Sequence, residues 1–501
     1  MNSSASTSSN VSAWPRFALI AVPILGAIAG IAALLLAQSE ARWMVYALGG
    51  LIGLLVVLMV PQKDRLLSAV FFLGLQMDVY LRVGYGRAGS TEGIAIPFVA
   101  IAGIALLVWR YFAFGPRHFR HYRFDGMARV PLLAILITTA VSIVTTEEHF
   151  IGVAQLIFEL ELFFIYWLTF NLVRNEADFR KVVGLLIFML VAQSLVMYVE
   201  SALGVNFNLS GEVMQRGEIP RPGGTVSSNP AGFSSFITPP LLVAMAYFFS
   251  RGKQWRPTGA MIAGMLGLAA IALTFTRASW AGVVLGIALL VVLLGRRGMM
   301  RWDRLAGIAL ILALAGLALM PTMMERLSHD YGTGNAQKAA WEERWGLMRI
   351  AFNMIAHHPL TGVGPGAYMY TYKEYIPPGL HQWVSAVHNE FLLRAAETGL
   401  AGAIAFIAFI VAGFRIGIRL LRSRRLNLVT AGAGWVAALA SLVWQMSWVP
   451  WTGFTYNAML WFTFGLMDAA CRFDGKAGDQ NVVVVEDRPS TDFPLRTIPS
   501  R

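Results

Sequence analysis

The sequence predicts an all-α, polytopic transmembrane bundle of about 12–14 spans with one large, partly helical loop. Three observations predict it. Hydrophobic residues make up 56% of the 501 residues and charged residues 14%, against about 45–50% and 25% in soluble domains. Apolar runs of about 20 residues, enough to cross a bilayer, recur from end to end. Lys and Arg concentrate in alternate connections, as they do in membrane topologies. This balance excludes a soluble globule and a disordered chain, and a single anchor cannot accommodate so much apolar sequence.

The elements follow in order. Residues 1–16 are Ser/Asn-rich and carry a single cation, Arg16. A cleaved signal peptide opens on a basic region, so the first apolar run is read as a retained span. Fourteen spans are expected, at about 17–37, 43–61, 66–81, 93–113, 130–145, 150–172, 182–202, 231–250, 258–275, 279–295, 305–322, 388–414, 428–447 and 456–471. The third is short and contains Asp78. The chain divides into a tail (1–16), spans 1–11 (17–322), a large loop (323–387), spans 12–14 (388–471) and a polar tail (472–501). A shorter connection covers 203–230, and no internal repeat is visible.

Orientation follows from the cations. One set of loops carries Lys63 and Arg65; Arg117, Arg120, Arg123 and Arg129; Arg174, Arg180 and Lys181; Arg251, Lys253 and Arg256; Arg296, Arg297, Arg301 and Arg304; and Arg415, Arg419, Arg422, Arg424 and Arg425. The opposite set is sparse for its length, with Arg42, Arg82, Arg87, Arg216, Arg221, Arg277 and a few in the long loop. The rich set is cytoplasmic, which places both termini inside. The net charge of +12 then reflects topology and contacts with anionic lipid headgroups. No folded basic face offers itself to nucleic acid. The single cysteine, Cys471, excludes an internal disulfide and a Cys-rich metal site.

The cations on the sparse side call for reasons. Arg216 and Arg221 lie in NFNLSGEVMQRGEIPRPGGTVSSNPAG, and Arg277 lies in TFTRASW, a tight turn at the outer face. The long loop carries WEERWGLMRIAFNMIAHHPLTGVGPGAYMYTY, whose first part reads as an amphipathic helix with Trp341, Trp345, Met348 and Phe352 on one stripe. Arg344 and Arg349 share that helix, HHPLTGVGPG is a Gly/Pro turn cluster, and SAVHNEFLLRAAETGLAG brings His388 to the start of the twelfth span. Arg presents a rigid fork of donors that fits phosphate oxygens and keeps its charge. His takes a proton near neutral pH. Together at headgroup level they suit group transfer from a lipid-linked diphosphate to an acceptor hydroxyl. Arg would stabilise the departing diphosphate and His would deprotonate the hydroxyl.

Structural alternatives stand beside each assignment. Arg216 reads equally as a solvated charge, Arg221 as a tie for its loop, Arg277 as a cation snorkelling to headgroups, and Arg344 as a partner of Glu342 or Glu343. His388 has the alternative of a core hydrogen bond. His357 and His358 precede a Pro turn and read as structural, and His381 is unassigned. No metal-binding spacing of His or acidic residues occurs, so no metal and no cofactor is expected. Glu390, Arg394 and Glu397 follow His388 at helical spacing, as i,i+4 and i,i+3 pairs that either fix packing or orient His388. Glu159 and Glu161 lie two apart, so only one can face the bundle interior. WVPWTGFTY reads as an interfacial aromatic belt, with a sugar-stacking surface as the alternative.

These stretches resemble a known family. HHPLTGVGPGAY followed by HNEFLLRAAETGLAG is similar to the signature region of the O-antigen ligase and polymerase superfamily of bacterial membrane proteins. TRASW resembles that family's Arg turn, and RPGGTVSSNPAG resembles its earlier external loop. The resemblance covers about 205–410. It implies a metal-independent, inverting glycosyltransferase at the periplasmic face of the bacterial inner membrane, with 323–387 as the large periplasmic loop. The donor it implies is a glycan on undecaprenyl diphosphate. The acceptor is a sugar hydroxyl of a lipid-linked repeat or of the lipid A core, and other polysaccharide-assembly proteins are candidate partners. His388 matches the family's presumed base, Arg277 and Arg344 its diphosphate-binding arginines, and Arg221 is a third candidate. Fourteen spans exceed the twelve usual for the ligases, which tilts the expectation toward a polymerase in exopolysaccharide or O-antigen assembly. The readings from other classes are a non-catalytic scaffold of the polysaccharide machinery and a transporter or flippase of lipid-linked glycans. A transporter's polar site would lie near the midplane on broken helices.

Overall fold

The computed structural model describes residues 62–83, 94–147, 149–204, 223–227, 229–251, 257–310, 317, 320, 334–380 and 385–483. The first two expected spans, Arg216, Arg221 and His381 lie outside the described residues. The chain is almost entirely helical where it is described. Among the described residues six helices are long and apolar enough to cross a membrane, as a multi-pass membrane protein requires.

In chain order we label α1 Lys63–Gly74, β1 Tyr80–Val83, β2 Ile94–Pro97, α2 Phe98–Phe114, α3 Arg129–Ser142, α4 His149–Leu172, α5 Glu176–Leu203, α6 Pro230–Phe249, α7 Pro257–Leu273, α8 Arg277–Arg296, α9 Gly334–His357, α10 Glu390–Leu421, α11 Leu426–Met446 and α12 Phe454–Val483. Residues 302–310 are also helical and open the expected span at 305–322. Local signals set the helix starts. Asn175 and Asn229 accept hydrogen bonds from Asp178 N and Ala231 N, and Pro230 occupies the first turn of α6.

The third expected span, 66–81, is helical only as far as Gly74. Helix α1 has 12 residues, about 18 Å of rise against a hydrocarbon core of about 30 Å. The chain then turns into β1, which pairs antiparallel with β2, Tyr80 opposite Pro97 and Val83 opposite Ile94. The polar residues there explain the break. Asp78 accepts from Thr455 Oγ1 at 2.6 Å, and its N–H donates to Thr225 O at 3.3 Å. Such groups need partners that lipid does not supply. At the other end of the chain the last helix runs beyond residue 471 to Val483. Arg472 donates to the Phe170 and Val173 carbonyls, and Ser423 donates to Asp474 at 2.9 Å, so the start of the expected tail is tied to the bundle.

The core sits around α6, which is buried at every residue from Pro230 to Phe249 and packs against α7, α8, α11 and α12. Pro239 and Pro240 remove two backbone donors from this helix. The neighbouring Ser235 hydroxyl donates to Gln445 Oε1 of α11 at 3.0 Å, and Gln445 Nε2 donates to Thr238 Oγ1 at 3.1 Å. Small residues bring the helices close, as is usual where lipid gives no hydrophobic drive for association. A Cβ on Gly282 would lie 2.9 Å from Ser441 O, and one on Gly434 would lie 2.8 Å from Val243 Cα. Gly434→Ala is therefore expected to push α11 from α6 at a cost of about 1–3 kcal/mol, read as a lower melting temperature of the detergent-purified protein.

Candidate active site

The site is built on a break in α10. At Gly399 the backbone leaves helical geometry, with φ 70° and ψ 179°. The carbonyls before the break are taken by the segment that follows α9. Val363 N donates to Ala396 O at 2.9 Å, Gly364 N to Glu397 O at 3.0 Å, and Leu400 N to Pro359 O at 2.8 Å. Side chains cannot intrude here. A Cβ on Gly399 would fall 2.2 Å from Leu360 O, and one on Gly362 (φ 69°) would fall 2.3 Å from the Glu397 carbonyl carbon. The glycines of HHPLTGVGPG and ETGLAG are thus two halves of one backbone interlock. The Ser142 hydroxyl of α3 sits between the Thr361 and Glu397 carbonyls, 2.5 and 2.8 Å away.

The interlock holds α9 as well. Leu347, Ile350, Ala351 and Met354 bury one face of α9 against Val363, Tyr368, Tyr372, Leu393 and Ala396. Tyr368 donates through its hydroxyl to Leu347 O at 3.1 Å. Burial pushes its phenol above the ordinary value, with Glu397 adding to the effect, so it stays a neutral donor.

His388 stands two residues before α10, half-buried. Asn389 N donates to Val387 O at 2.8 Å, which makes a tight turn with His388 at its tip. Asn389 then caps α10 by accepting from Leu392 N at 3.0 Å, and its Nδ2 donates to Ser447 O at 3.4 Å. The next turn carries a buried charge cluster. Arg394 Nε donates to Glu390 Oε1 at 2.8 Å, and its other arm donates to Glu159 of α4. The Glu390 Oε2 accepts from Trp451 N at 2.8 Å, and the guanidinium lies 5.3 Å from the Phe406 ring centroid. The expected Glu390–Arg394 pair is therefore present. Glu397 takes a different partner, accepting from Tyr368 N at 3.3 Å, so it ties the loop rather than extending the ion cluster. Glu159, to which the sequence alone assigns no role, is the third member of the cluster. Its full burial in α4 required a cation, and Arg394 is buried at the matching depth.

Arg277 begins α8 and is exposed. The link from α7 is only three residues, and Phe275 adopts a positive φ of 52° to close it. The Trp280 indole donates to Ile271 O at 2.9 Å and fixes the turn from the other side. Arg344 is half-buried on α9, one turn beyond Trp341. The segments bearing Arg277, Arg344 and His388 meet around the end of α11. Ser279 donates to Gln445 at 3.4 Å, Trp341 lies 6.5 Å from Trp448 between ring centroids, and Asn389 reaches Ser447. All are at the end of the bundle where α6, α8, α10 and α12 begin. Arg221 lies outside the described residues. Among the described residues no group of three His, Cys, Asp or Glu side chains is placed to hold a metal ion.

This corner coincides with a stretch of known character. Residues 262–407 match the O-antigen ligase family. A search of curated proteins finds no match. The matched stretch runs from within α7 to within α10 and holds Arg277, Arg344, His388, Glu390, Arg394 and Glu397. It supports the O-antigen ligase/polymerase superfamily, and with it a membrane glycosyltransferase whose substrates are a lipid-linked glycan and an acceptor. RPGGTVSSNPAG, with Arg221, falls outside the O-antigen ligase match.

Removing one member of a buried ion cluster leaves the others unpaired, at about 3–5 kcal/mol. Arg394→Ala is expected to lower the melting temperature accordingly. Adding Glu159→Gln is expected to restore part of the loss, because the amide needs no countercharge; thermal melts of the three proteins check both.

Proposed function

We propose that the chain is a metal-independent, inverting glycosyltransferase of polysaccharide assembly, working at the periplasmic face of the inner membrane. The supporting observation is that Arg277, Arg344 and His388 fall within the O-antigen ligase match on segments that meet at one end of the bundle. The distribution of Lys and Arg puts that end outside, with both termini in the cytoplasm.

The donor is a glycan on undecaprenyl diphosphate, and the acceptor is a sugar hydroxyl. His388 accepts the hydroxyl proton as the oxygen attacks the donor's anomeric carbon. The new glycosidic bond forms as the bond to the diphosphate oxygen breaks. A single displacement inverts the anomeric centre. Charge grows on the leaving diphosphate, where Arg277 and Arg344, with Arg221 as a third, supply fixed positive charge in place of a metal. Arg277 stands in the first turn of α8, whose N-terminal backbone dipoles favour the same anion. Glu390 and Arg394 act on the reaction through position, by anchoring the start of α10 one turn from His388. The span count favours a polymerase, in which the acceptor is the next lipid-linked repeat.

The test is His388→Ala in a strain lacking the native copy. Loss of a general base is expected to slow transfer by about 10²–10⁴-fold. Membrane levels should stay normal, long-chain glycan should disappear from gels, and carrier-linked units should accumulate. Single repeats accumulating mean a polymerase, and long chains stranded on the carrier mean a ligase. Transfer by the wild-type protein should survive a chelator of divalent cations. Unchanged glycan in the His388→Ala strain would overturn the assignment and favour a transporter.

A further inference from the structure

Helix α9 is apolar on two faces. Leu347, Ile350, Ala351 and Met354 are buried against the loop and α10. About half a turn round the helix, Trp341, Trp345 and Phe352 are exposed at 59%, 57% and 49%. A cluster of exposed large apolar side chains on a helix whose other apolar face is already buried marks a contact surface. The second face therefore needs an occupant, and four observations identify it.

The helix is attached at both ends to places where membrane spans finish. At its start Trp341 packs by Trp448, and Trp448 by Trp444, which is itself exposed near the end of α11. At its far end Pro359 O accepts from Leu400 N, and the exposed Leu360 lies beside the exposed Leu400, where α10 resumes after its break. From Leu400 to Leu421 the second part of α10 is long enough to span, and its exposed Ile404, Ile407 and Val411 continue the apolar surface. The side-chain chemistry agrees, since Trp favours the boundary between headgroups and acyl chains. Arg349, exposed at the edge of the same face, has the long stem that lets a cation reach phosphates from that depth.

We infer that α9 lies flat in the headgroup–acyl boundary of the bilayer, with Trp341, Trp345 and Phe352 in contact with lipid. Arg344, between the lipid face and the buried face, is then held at the level of lipid phosphates. The inference rests on the geometry of α9 and does not require the glycosyl-transfer reading.

The lone cysteine provides the test. In the full-length Cys471→Ala protein, a bimane label is placed at Phe352→Cys, at Trp345→Cys, and at Lys373→Cys as a control. Lys373 is exposed on the loop that covers the opposite face of α9. Each protein is reconstituted in phosphatidylethanolamine–phosphatidylglycerol vesicles. The labels at 345 and 352 are expected to lose fluorescence to lipid carrying a nitroxide near the headgroup, and to lose less to one near the chain end. Aqueous iodide should spare them and quench the label at 373. Quenching of 345 and 352 by iodide and not by lipid would overturn the inference, because the face would then be in water. Protection from both quenchers would overturn it too, because protein would then cover the face. If Trp345→Cys fails to elute as folded protein, Phe352→Cys alone decides.

Discussion

The arrangement of this end of the molecule depends on one backbone interlock. Breaking α10 at Gly399 frees carbonyls that a continuous helix would have consumed. The segment after α9 takes two of them, through Val363 N and Gly364 N, and its Pro359 carbonyl accepts from Leu400 N in return. Backbone-to-backbone bonding at this distance is possible only because Gly399 and Gly362 lack a Cβ. The consequence is mechanical. The long loop is fastened directly to a span, so the orientation of α9, and with it of Arg344, is tied to α10, the helix whose start follows His388.

The buried charges reinforce that arrangement. An isolated ion in this setting is costly, and a pair recovers the cost only with good geometry. Arg394 is bonded to Glu390 and Glu159 together, and Glu390 also accepts from Trp451. The cluster therefore links α4, α10 and the segment leading into α12. Hydrophobic contacts alone would tolerate a slip of one helix along another, because many apolar registers are similar in energy. A charge cluster has one register in which every partner is satisfied. It is suited to hold the turn at His388 still.

Much of this was legible in the sequence. Apolar length and the alternation of cations gave the bundle, and the Glu390–Arg394 spacing gave a pair that is present. The residues proposed for diphosphate and proton come from four separate segments, and the three that are described, bearing Arg277, Arg344 and His388, approach one another near residues 445–448. The failures have physical reasons. The run at 66–81 is apolar on average, and averaging hides the need of Gln76 and Asp78 for partners, which the chain meets by turning into a hairpin. The i,i+3 spacing of Arg394 and Glu397 permits a pair, but the break at Gly399 turns Glu397 toward Tyr368. The Glu159–Arg394 bond joins residues far apart in the chain, and only the packing of α4 beside α10 reveals it.

The stripe on α9 teaches a subtler point about periodicity. Trp341, Trp345, Met348 and Phe352 repeat at helical spacing, which in a water-soluble protein marks the face turned to the core. Here the core face is the other one, built from Leu347, Ile350, Ala351 and Met354. Both stripes satisfy the same rule, so spacing alone cannot rank them. Residue type can. The buried stripe consists of aliphatic and small residues that interdigitate closely, as the interlock beneath it demands. The exposed members of the outer stripe, Trp341, Trp345 and Phe352, are large aromatics that a packed interface of this kind would have to admit whole, while Met348 at its margin packs against the inner cluster. In a membrane protein the apolar moment of a surface helix can thus point away from the protein. An amphipathic helix next to a span end is then better oriented by asking which stripe is small enough to pack than by asking which is more hydrophobic.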